Sequence, residues 1–160
     1  MALWQVKFVF LPHQTVGDVD IVPKDLFNRS PMGNFTLPSG YALRISRLLP
    51  PKKAWSDNME LWGDDKSDDF TIWREAGRIM WISVRIDVHK LDNDLLSGVL
   101  TLADEWGCVL VEARYRTVCR MTVQEFRAFI AGHPHTLAMK DPKTWLPILA
   151  EEVRRGDDPA

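Results

Sequence analysis

From Leu3 to Leu11 the residues Trp4, Val6, Phe8 and Phe10 alternate with Gln5 and Lys7. That two-residue period is the signature of a strand with one buried and one wet face. Tyr41 to Leu49 repeats the pattern more weakly and predicts a second strand. The run DFTIWREAGRIMWISVRIDVH reads as a hairpin turning near Glu75, Ala76 and Gly77, because glycine takes the positive φ that a tight connection demands. In its second arm Met80, Ile82, Val84, Ile86 and Val88 share the face assigned to the core. Trp81, Ser83, Arg85, Asp87 and His89 share the other.

The period then changes. Asp92 or Asn93 can cap a helix running to about Trp106, whose Leu95, Leu96, Val99, Leu100, Leu102, Ala103 and Trp106 form a wide apolar stripe, with Gly107 as its stop. Cys108 to Cys119 is predicted as a strand with Val109, Val111, Ala113 and Tyr115 on one side and Glu112, Arg114 and Arg116 on the other. Thr122 followed by Glu125 matches a capping box, opening a helix that buries Val123, Phe126, Phe129 and Ile130. After a His133-Pro134-His135 loop, Asp141 or Thr144 caps a final helix, in which Pro147 is tolerable only within the first turn. Strands early and helices late predict an α+β domain, an antiparallel or mixed β-sheet with helices packed mainly on one face. The uncovered face would carry Trp81, Arg85, Asp87, Glu112, Arg114 and Arg116.

Six prolines punctuate the stretch from Pro12 to Pro51 and none follows until Pro134, which places the regular core between Lys52 and His133 and leaves irregular loops between strands in the first third. No repeat, low-complexity segment or linker divides the 160 residues, so they are expected to form a single domain, residues 1–160. A hydrophobic fraction of 46% excludes a disordered chain, and a formal net charge of −2 argues against a dedicated nucleic-acid binder. The start, MALWQVKFVFLPHQ, has no basic region or cleavage site of a leader, and no stretch reaches the roughly 20 apolar residues of a membrane span. With only Cys108 and Cys119, in no metal-ligand spacing, the expected setting is the cytoplasm, with no membrane and no nucleic acid among the partners.

Local signs of catalysis are scarce. The chain lacks a nucleophile elbow, a phosphate loop, a dinucleotide fingerprint and a zinc-protease helix. His133 and His135, with Asp141 downstream, are the nearest approach to a metal pair, and they define the alternative reading of a small metal-assisted hydrolase or ligand-binding enzyme. Asp87 beside His89 could orient an imidazole, but alternate charges on a sheet face more commonly pair across strands. The sequence therefore favours a non-enzymatic protein, with no cofactor, no metal site and no catalytic residues assigned; both cysteines read as small buried hydrophobes.

Charge and tryptophan point elsewhere. Residues 57–70 hold six acids (Asp57, Glu60, Asp64, Asp65, Asp68, Asp69) against Lys66, while the preceding 56 residues carry net +4 and the rest of the chain net −1. A dense acidic loop that also holds Trp62 can steer a cationic partner and then anchor it. Of seven tryptophans, Trp4, Trp106 and Trp145 fit core stripes; Trp55, Trp62, Trp73 and Trp81 are harder to bury together. Trp73 and Trp81, on the two hairpin arms, can form an aromatic platform or be covered by the loops of the first third. The expected partner-binding set is thus Trp62, Asp64, Asp65, Asp68, Asp69, Trp73, Trp81, Arg85 and Asp87, with Trp62 and the four aspartates exposed.

The run DDFTIWREAGRIMWISVRIDVHKLDNDLLSGVLTLADEWGCVLVEA combines an acidic entry, a hairpin with Gly-Arg at its turn, an I-x-V-R-I-D strand and a helix ending L-A-x-x-x-G-C. Over roughly residues 68–113 it resembles small uncharacterised bacterial α+β proteins, some of which are toxin-immunity proteins. The resemblance implies a non-enzymatic bacterial domain; joined to the charge pattern, it gives the expectation of a cytoplasmic protein-binding domain, an immunity protein that neutralises a cognate toxin through the acidic loop and the exposed sheet face, its partner a cationic toxin domain. A homodimer through the hairpin edge is the other assembly the pattern allows.

Overall fold

The computed structural model describes residues 4–29 and 31–156, so Leu3 of the first predicted strand lies outside the described residues. The chain runs through β1 (Gln5–Pro12), α1 (His13–Val16), α2 (Lys24–Asn28), α3 (Tyr41–Ser46), β2 (Pro51–Lys52), β3 (Met59–Gly63), β4 (Asp69–Glu75), β5 (Arg78–Asp87), α4 (Asn93–Glu105), β6 (Cys108–Glu112), β7 (Val118–Cys119), α5 (Val123–Ala131), α6 (Pro134–Lys140) and α7 (Pro142–Arg155). The seven strands form one antiparallel sheet in the order β2-β3-β4-β5-β1-β6-β7, and the fold is α+β. Among the described residues no helix is long and apolar enough to cross a membrane.

Strand β1 sits between β5 and β6, with Phe8 opposite both Val84 and Glu112. Its alternation therefore does not separate core from water: Val6, Phe8 and Phe10 are fully buried, and so are Gln5, Val9 and Leu11 on the other face. The β4–β5 hairpin turns at Ala76 and Gly77, both at positive φ (48° and 77°), which is the two-residue connection the strand twist favours. Ile82, Val84 and Ile86 are fully buried, as their spacing predicts. Asp92 caps α4 through Asp94 and Leu95, and Thr122 with Glu125 forms the complete capping box of α5. Phe10, Phe70 and Trp106 cluster between this face and α4, and Phe8 meets Phe126 of α5 edge-on at 4.9 Å.

Four expectations change. Tyr41–Leu49 forms helix α3 rather than a strand, because Tyr41, Ile45 and Leu48 recur at helical spacing and pack on the core, while Leu43 is exposed. The first third holds three short helices and two strands, the two-residue β2 at the sheet edge and β1 inside the sheet between β5 and β6. The segment Cys108–Cys119 breaks into two strands around a turn with Arg116 at φ 58°, so Arg114 and Arg116 lie in the turn; the Phe8 register turns Glu112 to the helix-covered face, where it is 1% exposed. Pro147 falls beyond the first turn, inside α7, on a helix whose Leu146, Ile148 and Val153 face solvent.

Candidate docking face

Strand alternation gives the sheet a second face, on which Lys7, Ser83, Arg85, Trp81, Asp69, Thr71, Trp73, Leu61 and Met59 succeed one another across β1, β5, β4 and β3. The chain after β1 covers one end of it: Phe27 of α2 meets Trp81 edge-on at 5.3 Å, and Arg78 at the hairpin tip donates to the carbonyl of Gly33. The middle stays open as a depression of about 390 Å³ lined by Lys7, Thr71, Trp73, Trp81, Ser83 and Arg85. A second hollow of about 330 Å³ shares Thr71 and Arg85 with it and extends to Lys53, Trp55, Met59 and Leu61. Trp73 and Trp81 are register partners, next to a β-bulge between Trp73 and Arg74. Trp55 stands 78% exposed with its ring 6.3 Å from that of Trp73. Three indoles thus follow one another along the open face.

The acidic loop is built differently from its sequence expectation. Trp62 is a core residue, 5% exposed, donating its indole N–H to Ser46 and packing edge-on against Phe70. Asp68 and Asp69 are buried too. Asp69 takes a two-point contact from Arg85, Nε to Oδ1 at 3.0 Å and Nη2 to Oδ2. Burial nevertheless pushes its carboxyl above the usual range, against the pull of that guanidinium. Asp68 accepts the backbone N–H of Asp87 at 2.7 Å, and burial raises its pKa as well. Asp87 is buried and accepts both the backbone N–H and Nδ1 of His89. Exposed positions remain at Asp64, which accepts from Lys66 N–H, and Asp65, paired with Lys52 at 2.7 Å and held below the usual carboxylate range by it. Gly63, at φ +81°, opens the loop where a Cβ would collide with the Asp68 carbonyl. Gln5 closes it by donating to the carbonyls of Asp65 and Ser67. These ties make the loop a strut of the sheet.

Of the expected partner-binding residues, Trp73, Trp81, Arg85 and Asp69 converge on the open face. Asp64 lies instead on a groove of about 800 Å³ between the loop and the start of α4, with Ser67, Asp68, His89, Lys90, Asp92 and Arg127. There Asp92 already caps α4, and Arg127 donates to Leu91 O and Asn93 Oδ1. Lys7 and Trp55 were not in the expected set. Lys7 reads as an ordinary wet position of an alternating strand, and Trp55 as part of a polar loop; only strand order puts them beside Trp81 and Trp73.

The histidine pair serves the fold. His133 caps α6, its Nδ1 accepting from His135 N–H at 3.2 Å, while its Nε2 lies 3.4 Å from Glu112 Oε1. His135 Nδ1 contacts the Gln5 carbonyl at 3.1 Å and its Nε2 approaches Arg114 Nη1 at 3.5 Å. Both imidazoles are buried, and Asp141 is occupied as the cap of α7. Among the described residues no three His, Cys, Asp or Glu side chains are grouped as a metal ion requires. Cys108 and Cys119 are buried thiols pushed up to about 12 by that burial, so neither is poised as a nucleophile.

The class these features define is an α+β protein with a seven-stranded antiparallel sheet, helices mainly on one face and, on the other, an aromatic strip that α2 covers at one end. No family model matches the chain, and no curated protein or solved structure is similar to it.

Proposed function

We propose that this chain is a protein-binding domain that docks its partner on the open sheet face, and that it acts by occluding that partner, as an immunity protein occludes a toxin. The observation that carries the reading is the strip Trp55, Trp73 and Trp81, exposed at Trp55 and half-buried at Trp73 and Trp81, while Trp62 and Trp106 are packed away. Large indoles in a half-desolvated hollow, rimmed by charge, are the composition of an interface hot spot. The sheet presents Trp73 and Trp81 on a rigid support, with Trp55 beside them on the loop before β3. The carboxylates of the neighbouring loop contribute less to recognition than their number suggests, since Asp68 and Asp69 are buried within the chain.

The test is affinity capture from the producing organism with the wild-type protein and with a Trp55→Ala/Trp73→Ala variant, followed by calorimetry on the identified, purified pair. Each truncated anchor is expected to weaken binding by about tenfold or more. Leu146→Ser on α7, away from the face, should leave affinity unchanged. A partner that binds the double variant as tightly as the wild type would overturn the reading.

A further inference from the structure

We propose that the depression at the middle of the open face is a receptor for one carboxylate, an Asp or Glu side chain projecting from the partner's surface, with Lys7 as the residue that recognises it. The inference rests on the docking reading and supplies the partner's chemistry. It starts from an imbalance of charge. Lys7 and Arg85 are direct register partners on β1 and β5, two cations side by side. Arg85 spends its guanidinium on Asp69. Lys7 has no such carboxylate: among the described residues nothing forms a hydrogen bond or ion pair with its ammonium, which instead lies 5.5 Å from the centre of the Trp81 ring. The two cations and one anion leave one positive charge unanswered on the floor of the hollow.

The surroundings make that charge costly for the free protein and useful to a complex. Lys7 is half-buried beside the indole of Trp81, in a depression that Trp73 also lines, and burial, then the nearby Arg85, pushes its amine below the ordinary lysine range against the pull of Asp69. A desolvated ammonium without a partner forfeits hydration and receives little in return, and an arriving carboxylate restores the balance with a charge-assisted hydrogen bond. Thr71 and Ser83 line the same depression and bring hydroxyl donors for a second lone pair. A hollow of about 390 Å³ on an open sheet admits one side chain from a flat opposing surface. Its sign is opposite to that of the loop beside it, so the favoured partner presents acid here.

The experiment is a titration of the folded, isotope-labelled protein with three blocked tripeptides, followed by amide and indole resonances. Ac-Gly-Glu-Gly-NH2 should shift Lys7, Thr71, Ser83 and the Trp73 and Trp81 indoles in a saturable way, at least about tenfold tighter than Ac-Gly-Gln-Gly-NH2. Lys7→Met should abolish that preference and Lys7→Arg should keep it, the spectra themselves reporting that each variant is folded. Equal responses to the Glu and Gln peptides, or a preference surviving in Lys7→Met, overturn the inference. Tighter binding of Ac-Gly-Gly-Gly-OH than of the Glu peptide overturns the side-chain source in favour of a chain terminus. A protein partner lost in Trp55→Ala/Trp73→Ala but indifferent to Lys7→Met leaves docking standing and removes Lys7 as its reader. Glu-selective peptide binding together with a protein partner indifferent to the tryptophans removes the docking reading instead.

Discussion

Glu112 shows how one carboxylate can be structural although its neighbourhood reads as surface. Its two oxygens accept the backbone N–H groups of Arg114 at 2.8 Å and Tyr115 at 2.7 Å, which fixes the turn by which the chain leaves β6, and its Oε1 faces the His133 ring. Side-chain acceptors of this kind satisfy donors that a tight turn orphans. Glu112→Ala would strand two part-buried donors and a buried imidazole, and is expected to destabilise the protein by about 2 kcal/mol in urea unfolding. A loss under about 0.5 kcal/mol would mean that water replaces the carboxylate. The sequence could not show this role: Val109 and Val111 alternate with Glu112 as they would on a half-wet strand, and here both sides of β6 are buried. Trp62 misleads in the reverse direction. It sits among acids, but its spacing two residues from Glu60 on β3 puts it opposite Phe70 and hence inward.

At the scale of elements, what was legible followed local chemistry. The Ala76-Gly77 turn, the Asp92 cap, the Thr122–Glu125 box and the Asp141 cap each rest on a few neighbouring residues. Tyr41–Leu49 failed because nine residues support both a weak two-fold and a helical period, and only packing against Trp62 and α4 decides between them. Helix α6 owes its docking to a long-range contact, His135 to the Gln5 carbonyl, which no local pattern announces. Burial holds His135 below the ordinary histidine range, with the His133 and Arg114 charges acting the same way and the Gln5 carbonyl opposing them. In the unfolded chain this histidine binds its proton near pH 6.5, and in the folded chain only at lower pH. Its contribution to stability is therefore full above about pH 6.5 and is lost as the pH falls from there toward the folded value. Asp68 and Asp69, whose pKa values are raised, have the opposite sign: folding with their charged forms is penalised, and that penalty is relieved on acidification. The urea midpoint should fall between pH 7.5 and 5.5, and fall less in His135→Asn. Equal falls in both proteins would assign the acid sensitivity to another group.

Over the whole molecule, the hairpin's outward residues were legible and their neighbours were not. Trp81 and Arg85 follow from the alternation of β5 and Trp73 from the pairing of the two hairpin arms, whereas Lys7 and Trp55 join them through a sheet order that puts β1 beside β5 and folds the loop before β3 back toward β4. That order also reverses the electrostatics. The acidic loop carries net −5 in sequence, but Asp69 is matched by Arg85 and Asp65 by Lys52, and on the open face the Lys7 ammonium has no ion pair among the described residues. A cationic partner drawn by the loop and an acidic partner received by Lys7 thus make contrary demands on one exposed residue, Asp65, which lines the hollow beside Arg85. Asp65→Lys changes the local charge by two units and frees Lys52. With an acidic partner, association at low salt should become several-fold faster, and the gain should shrink as the screening length falls from about 10 Å at 0.1 M toward about 3 Å at 1 M. Dissociation should change little, because charge at the rim of an interface steers encounter more than it holds the complex. Stopped-flow association measured over that salt range gives the sign directly: slower association in the variant would restore the cationic partner and withdraw Lys7 as the centre of recognition.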